Sequence, residues 1–366
     1  MALLFMDGFD HYTDLMEKWD WMWPLDGASY IPVIGSGYAR YGTGGVSFQT
    51  QGPGWGAGRD ANLAKLTPTM GATGVIGFAC YFSSATTSEE AYRYPLQVYE
   101  SFNSTRHFAL GWSNFSPTIL SVYGPGGLVG TGTIPISFNR WYYVEIGFTI
   151  GDAGSFELRI NGITSVAGTG DIKGGGTGTC GWVRFRNQAS TFYLDDVYMS
   201  TGAGFNGDTR VQYLAPSGAG VKTDFTPLSG SNWANVDETS INNADYNSSS
   251  VAGAMDLFAM PDLGNVQVFG VQPNLRFKKD DAGFRSAKPV LYRANADDGG
   301  TPPSTTTRWY LGARKLAFDS FVGASWPVLA SSPFSGAAWT VDEINALQFG
   351  YAVGEADMFT LDAKVV

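Results

Sequence analysis

Hydrophobic positions recur along this chain with a period of two. Trp141 to Thr164, WYYVEIGFTIGDAGSFELRINGIT, gives an alternating strand, a Gly-Asp turn, a second alternating strand and an Asn-Gly turn. Side chains of a strand point alternately to its two faces, so this stretch predicts an antiparallel hairpin and the start of another. Gly74 to Ser83, GVIGFACYFS, is almost continuously apolar, as a central strand requires. Phe192 to Met199, FYLDDVYM, alternates again and closes the first half. Residues 2–10, Tyr30 to Tyr41, Gly45 to Gln49, Leu96 to Phe102, Phe108 to Trp112 and Ile119 to Val122 supply further short strands between Gly, Pro and Ser. That rhythm predicts a β-sandwich.

The second half repeats the style. Val266 to Val271, Leu275 to Lys278, Ala287 to Tyr292, Thr307 to Phe318 and Leu347 to Val353 read as strands. Lys278 to Gly283 reads as a polar hairpin turn, and Asp297 to Thr307 as a loop. Thr13 is placed at the N-cap of a short helix. Thr340 and Glu343 form a capping-box pattern that opens a second one. Polar 229–250 reads either as a flexible segment or as an ordered arm on a neighbouring subunit. The linker-like STGAGFNGD divides the chain into 1–203 and 204–366. The fold class is therefore all-β: a sandwich followed by a second β-rich domain with one short helix.

Composition sharpens this. Aromatic residues are 14%, Gly is 48 of 366 and charged residues are only 15%. Aromatics suit pleated surfaces and Gly suits tight turns. The net charge is -10. Residues 1–203 hold 11 Lys/Arg and 16 Asp/Glu, the remainder 12 and 17, so each part carries about -5. Neither shows a basic run, which argues against nucleic acid and anionic membranes as partners. The apolar start MALLFM meets Asp7 at once, so it does not read as a signal peptide, and no stretch reads as a membrane span. The Asn-x-Ser/Thr matches at Asn103, Asn114 and Asn247 are then chance patterns. A chain made in the cytoplasm keeps Cys80 and Cys180 as buried free thiols.

Candidate chemistry is thin. No G-x-S-x-G occurs, and only His11 and His107 could serve a triad. Both read as structural. Glu145 and Glu157 stand on separate strands, with no Glu-x-Asp-x-Glu string to form a hydrolytic pair. Asp195 and Asp196 adjoin on a strand and should point to opposite faces. Asn243, Asp245 and Asn247 alternate like part of a calcium loop, without its Gly and terminal Glu. G-x-G-x-x-G at Gly176–Gly181 and Gly202–Gly207 opens no helix and reads as turns. Trp19, Trp21 and Trp23 would share one face if that stretch is extended and spread around the axis if it is helical, and they read as a core stripe or a subunit contact rather than as a sugar-binding platform. No catalytic residue, cofactor or metal ligand is assigned.

The strand pattern of the first half resembles the concanavalin-like (LamG-type) jelly roll. That resemblance implies that Phe192–Met199 pairs with Leu3–Phe9, and that Asp195 or Asp196 are the residues to consider for calcium. Five segments in order resemble a group of tailed-bacteriophage virion proteins: LLFMDGFDHY at the start, FYLDDVYM, GDTRVQYLAPSGAG at Gly207–Gly220, KDDAGFRSAKPV at Lys279–Val290 and AAWTVDEINALQFGYAV at Ala337–Val353. This resemblance implies a structural component of the particle and not an enzyme. Its partners would be other virion proteins, copies of itself and a host surface glycan. A tail-associated attachment or assembly protein is the first expectation and a capsid decoration protein its rival. The expectation of a different class is a glycan-binding or glycan-cleaving sandwich.

Overall fold

The computed structural model describes residues 2–23, 31–48, 61–67, 69–83, 94–102, 104–113, 116–187, 192–280, 285–293, 308–315, 320–354 and 363–365. The chain divides into two compact units, residues 1–212 and 213–366. The linker-like stretch after 203 thus belongs to the first of them.

The first unit is a sandwich of an eight-stranded and a seven-stranded antiparallel sheet. Across the first sheet run Ile163–Gly170, Gly154–Ile160, Trp141–Thr149, Thr73–Phe82, Phe192–Thr201, Val46–Phe48 and Val33–Ile34, and Leu3–Asp7 also pairs with Phe192–Thr201. Across the second run Gly127–Gly130, Ser116–Gly124, Arg106–Ser113, Leu96–Tyr99, Trp182–Asn187, Ala61–Leu66 and Trp21–Trp23. The all-β class read from the sequence holds. So does the hairpin from Trp141: Gly154–Ile160 alternates buried with more exposed positions. Its exit turn puts Asn161 and Gly162 at φ 50° and 79°, the left-handed pair that a two-residue hairpin demands. Leu3–Asp7 meets Val197–Ser200, as the resemblance implied.

The inward faces are filled by aromatic rings. Phe78, Phe108, Phe185, Phe192 and Trp112 are essentially inaccessible. Phe185 packs edge-on against Phe78 and Trp19, at 5.1 and 6.0 Å between centroids. Burying each such side chain is worth about 1.5–3 kcal/mol. Trp19 belongs to this core, whereas Trp21 leaves on the opposite face against Phe102. The expected common face therefore fails, because a turn separates Trp19 from the strand Trp21–Trp23. The first helix is also shorter than expected. It is a 3-10 turn, Leu15–Glu17, capped by the Asp14 side chain and not by Thr13.

The second unit has two sheets of its own. One contains Gly218–Thr223, Met255–Ala259, Leu347–Val353, Ser286–Arg293 and Arg308–Tyr310, with Arg314–Lys315 beside Ser286–Arg293. The other contains Thr226–Pro227, Asn247–Ser249, Ala363–Val365, Asn274–Lys278 and Val322–Ser325. Phe225, Phe258, Phe277, Leu291, Trp326 and Tyr351 are among the residues of its core. Thr340 caps the helix Val341–Asn345, its hydroxyl accepting from the Glu343 amide at 3.1 Å. Glu343 does not complete the box; its carboxylate turns to Ser332 and Arg293. The polar 229–250 region is packed on its own unit. Asn247 is fully buried and donates to Tyr351 Oη and to the Asn232 carbonyl, both at 2.8 Å.

Two strand expectations fail here. Asn274–Lys278 and Ser286–Arg293 lie in different sheets, so Lys278–Gly283 joins no hairpin. Val266 to Val271 forms no ladder: only Val271 makes a bridge, to Leu329. The loop expected over Asp297–Thr307 lies outside the described residues.

Candidate functional site

Charge is sorted between the two sheets of the sandwich. The strands of the first sheet carry Asp7, Glu145, Glu157, Asp195 and Asp196 against one cation, Arg159. The seven strands of the second carry Lys65, Arg106, Arg184 and Arg186 and no Asp or Glu. In a chain of net charge -10 this is a local reversal of sign.

Strand register places the three arginines. Val183 and Phe185 fill the core, so the alternation of WVRFRN sends Arg184 and Arg186 to the outer face. Trp21, Ala64, Arg184, Gln97, Ala109 and Tyr123 form one row across neighbouring strands. Trp182, Tyr99 and Arg106 form the next. Arg184 donates from Nε to Gln97 Oε1 at 2.8 Å, and from Nη2 to the same oxygen and to the Tyr99 hydroxyl. Tyr99 donates to Gln97 Oε1 at 3.1 Å, and the guanidinium lies 4.7 Å from the Tyr99 ring centre. Gln97 is buried and Arg184 only partly so. A guanidinium fixed in this way is an aimed donor and not a freely rotating charge.

Aromatic rings flank the cluster on both sides. Arg106 stacks at 4.3 Å on Tyr94, which leans edge-on against Tyr123 at 5.2 Å. Both rings lie over Gly111, where an added Cβ would come within 2.5 Å of the Tyr94 ring, so no larger residue fits beneath them. On the other side Trp21, Phe102 and Trp182 form a chain of rings at 4.8 and 5.3 Å. Phe102 and Leu66 are 39% and 42% exposed. The face therefore offers aimed cationic donors between two apolar, ring-bearing ends. This can hold an extended ligand that has both flat C–H surfaces and negative charge.

The residues singled out in the sequence lie elsewhere. His107 is buried beneath the Gly-rich loop that follows Asp171. Its Nδ1 accepts from the Gly174 amide at 2.9 Å and its Nε2 donates to the Thr179 carbonyl at 3.1 Å. Burial pushes its pKa down. Glu100, 3.8 Å away, holds the same loop through Thr177 and Gly178. His11 packs against Tyr12. Cys80 and Cys180 are buried free thiols, and burial pushes Cys180 up to about 12. Neither is a nucleophile at neutral pH.

Glu145 is covered by the segment that follows the last strand of the sandwich. It accepts from the Tyr198 hydroxyl and from the Gly207 amide at 2.9 Å. Glu157 pairs with Arg159 at 2.8 Å and with Thr164 at 2.6 Å. Asp195 and Asp196 do not part to opposite faces as expected. A bulge between Asp195 and Tyr198 puts Asp196 at φ 49°, and both carboxylates turn to Arg40. Asp195 accepts from the Arg40 amide at 2.7 Å, and Asp196 lies 3.5 Å from the Arg40 guanidinium. Burial pushes both carboxyls above the usual range, and the charge of Asp196 adds to the shift at Asp195. Among the described residues no group of three or more His, Cys, Asp or Glu is arranged to hold a metal. Gly176, Gly202 and Gly207 have positive φ, with Gly176 in a turn and Gly202 in a bend.

No family model matches the chain, and no curated protein matches it. Solved structures do. An endo-β-1,4-glucuronan lyase from the fungus Trichoderma reesei is 12% identical and covers 54% of this chain and 95% of its own, with a TM-score of 0.42. A PL-14 alginate lyase from Aplysia kurodai is 7% identical over 55% of this chain and 100% of its own, with a TM-score of 0.43. A GH131 β-glucanase catalytic domain from Podospora anserina is 13% identical over 54% and 94%, with a TM-score of 0.34. The expectation that this chain is not an enzyme is corrected on this finding: sandwiches similar to it include two lyases and a glucanase.

Proposed function

We propose that the first unit binds an acidic glycan on the outer face of its second sheet. The observation that carries this is the sorting of charge: seven strands without a carboxylate, and on them Arg184 held by Gln97 and Tyr99 between aromatic ends. Long-range attraction would draw an anionic chain to this face and away from the acidic first sheet. A carboxylate would then meet a guanidinium whose planar fork matches it. The rings of Trp182 and Phe102 offer apolar surface to the C–H faces of adjoining sugar rings.

Cleavage is a second reading on the same residues. A guanidinium and an amide that neutralise a uronate carboxylate make the adjacent C–H more acidic, and Tyr99 stands in contact with both. A deprotonated Tyr99 would take that proton and pass it to the neighbouring glycosidic oxygen as its C–O bond breaks, which leaves a free hydroxyl on the departing sugar and a conjugated double bond that absorbs in the ultraviolet. The five virion-like segments add a setting, a phage particle that displays the sandwich to a host surface.

Tryptophan fluorescence tests the binding face, because Trp21 and Trp182 stand on it. Acidic oligosaccharides should change the emission saturably, and neutral ones of equal length should not. A response to neutral sugars alone would refute the reading. Ultraviolet absorbance of the same mixtures over time separates cleavage from binding.

A further inference from the structure

We propose that Lys18 and Asp7 condense to an amide that ties the first strand of the sandwich to the turn before Trp21–Trp23. Alternation along Leu3–Asp7 sends Leu3, Phe5 and Asp7 into the core. The turn Leu15–Glu17 returns the chain so that Lys18 Nζ stands over the Phe5 ring, 5.6 Å from its centre. Nζ is then 3.3 Å from Asp7 Oδ1, and the two side chains are 3% and 0% exposed. The rings around them, Phe5, Phe9, Tyr12 and Trp19, pack on one another and are all buried.

The Asp7 carboxyl is held as an acyl group under attack is held. Its Oδ2 accepts from Trp19 Nε1 at 2.7 Å and from the Tyr12 hydroxyl. Burial raises the pKa of that hydroxyl well above the ordinary value, so it stays a donor. Oδ1 accepts from the Phe9 amide at 3.0 Å. To bring that amide there, Phe9 adopts φ 58°, a conformation costly for a bulky residue. Two donors on one oxygen and an amine beside the other make an oxyanion hole next to a nucleophile.

As a plain ion pair the arrangement is poorly served. An ammonium has three N–H groups to satisfy, and among the described residues Asp7 is its one ion-pair partner. Lys65 places a second cation over the same Phe5 ring. Burial lowers the Lys18 pKa in spite of the Asp7 charge, and Lys65 adds to the effect. One proton of Nζ therefore passes to Oδ1, and the neutral amine attacks Cγ. The charge that collects on Oδ2 falls to Tyr12 and Trp19. A second proton moves from Nζ to Oδ1, the Cγ–Oδ1 bond breaks and water leaves. An ammonium and a carboxylate have become an amide and one water, with no co-reactant and no buried ions left. The fixed approach of the two groups supplies the rate.

Intact-mass spectrometry of the denatured full chain tests this, followed by tryptic digestion. The chain should weigh one water less than its sequence requires. Trypsin should fail to cut after Lys18, so that residues on both sides of it, as far as Arg40, emerge as one fragment lighter by that water. Lys18→Arg should restore the full mass and the cut. A full-mass wild type overturns the proposal. A missing water with the cut after Lys18 intact overturns it as well, and assigns the loss to an imide such as Asp7–Gly8 can form. Both readouts are made on the wild type and depend on no variant that must fold.

Discussion

Replacing Arg184 with glutamine removes one positive charge and two donors from the outer face of the second sheet. In the wild type those donors end on Gln97 Oε1 and the Tyr99 hydroxyl. The truncated side chain leaves the buried Gln97 carbonyl short of a partner, at a cost of about 1–2 kcal/mol of stability. The fold should survive this, because Val183 and Phe185 still fill the core on either side. Binding should suffer more. A hydrogen bond to a charged group contributes about 1.5–3 kcal/mol, so an acidic oligosaccharide should bind about 10- to 150-fold more weakly. Arg184→Lys keeps the charge but loses the planar fork, and should fall between the two. Isothermal titration at low and high salt is the assay. The wild type should weaken steeply with salt, and the glutamine variant less steeply. A glutamine variant within twofold of wild type, with the fold intact, would refute the assignment of Arg184 as the anion donor.

Acid should loosen the loop over His107. Its folded pKa lies below the ordinary value, so the unfolded chain binds more protons and stability falls as pH drops through the histidine range. His107→Gln should flatten that limb of a melting-temperature profile. Asp195 and Asp196 act in the opposite direction. Their pKa values are raised, so the folded chain binds more protons and stability falls as pH rises above the ordinary carboxylate value. Asp196→Asn, which keeps an acceptor for the Val211 amide and tolerates the left-handed backbone, should flatten this second limb; an unchanged profile would refute the coupling. Asn247→Leu removes the donor to the Asn232 carbonyl and the Tyr351 hydroxyl and the acceptor of the buried Asn235 amide, and should destabilise the second unit by about 2–4 kcal/mol, leaving the protection of first-unit amides from hydrogen exchange unchanged.

What could be read from the sequence was local. Trp141 to Thr164 alternates with period two and ends in Asn-Gly, and both signals survive folding because near neighbours satisfy them. The binding face is invisible to the same approach. Gln97 and Arg184 stand 87 residues apart, and only strand register brings them together. Counting charge over 1–203 averaged an acidic sheet with a basic one and returned a uniform excess of carboxylates. The outward arginines of WVRFRN were the one local signal, legible once Val183 and Phe185 are recognised as core. The bulge at Asp195 was hidden for a different reason: an extra residue in one strand shifts the face of every residue after it, and nothing in FYLDDVYM marks its place. Val266 to Val271 has strand character, yet among the described residues only Val271 finds a backbone partner, Leu329, so a pattern-based reading had to overshoot there.

The most direct test of the central claim is a matched titration of the full chain with a polyuronate and with the same polymer after its carboxylates have been reduced to alcohols. Size, linkage and ring shape are then constant, and only the charge differs. Saturable, salt-sensitive binding to the acidic polymer, lost on reduction, is the predicted result. Equal affinity for the two polymers, or none for either, would contradict the account.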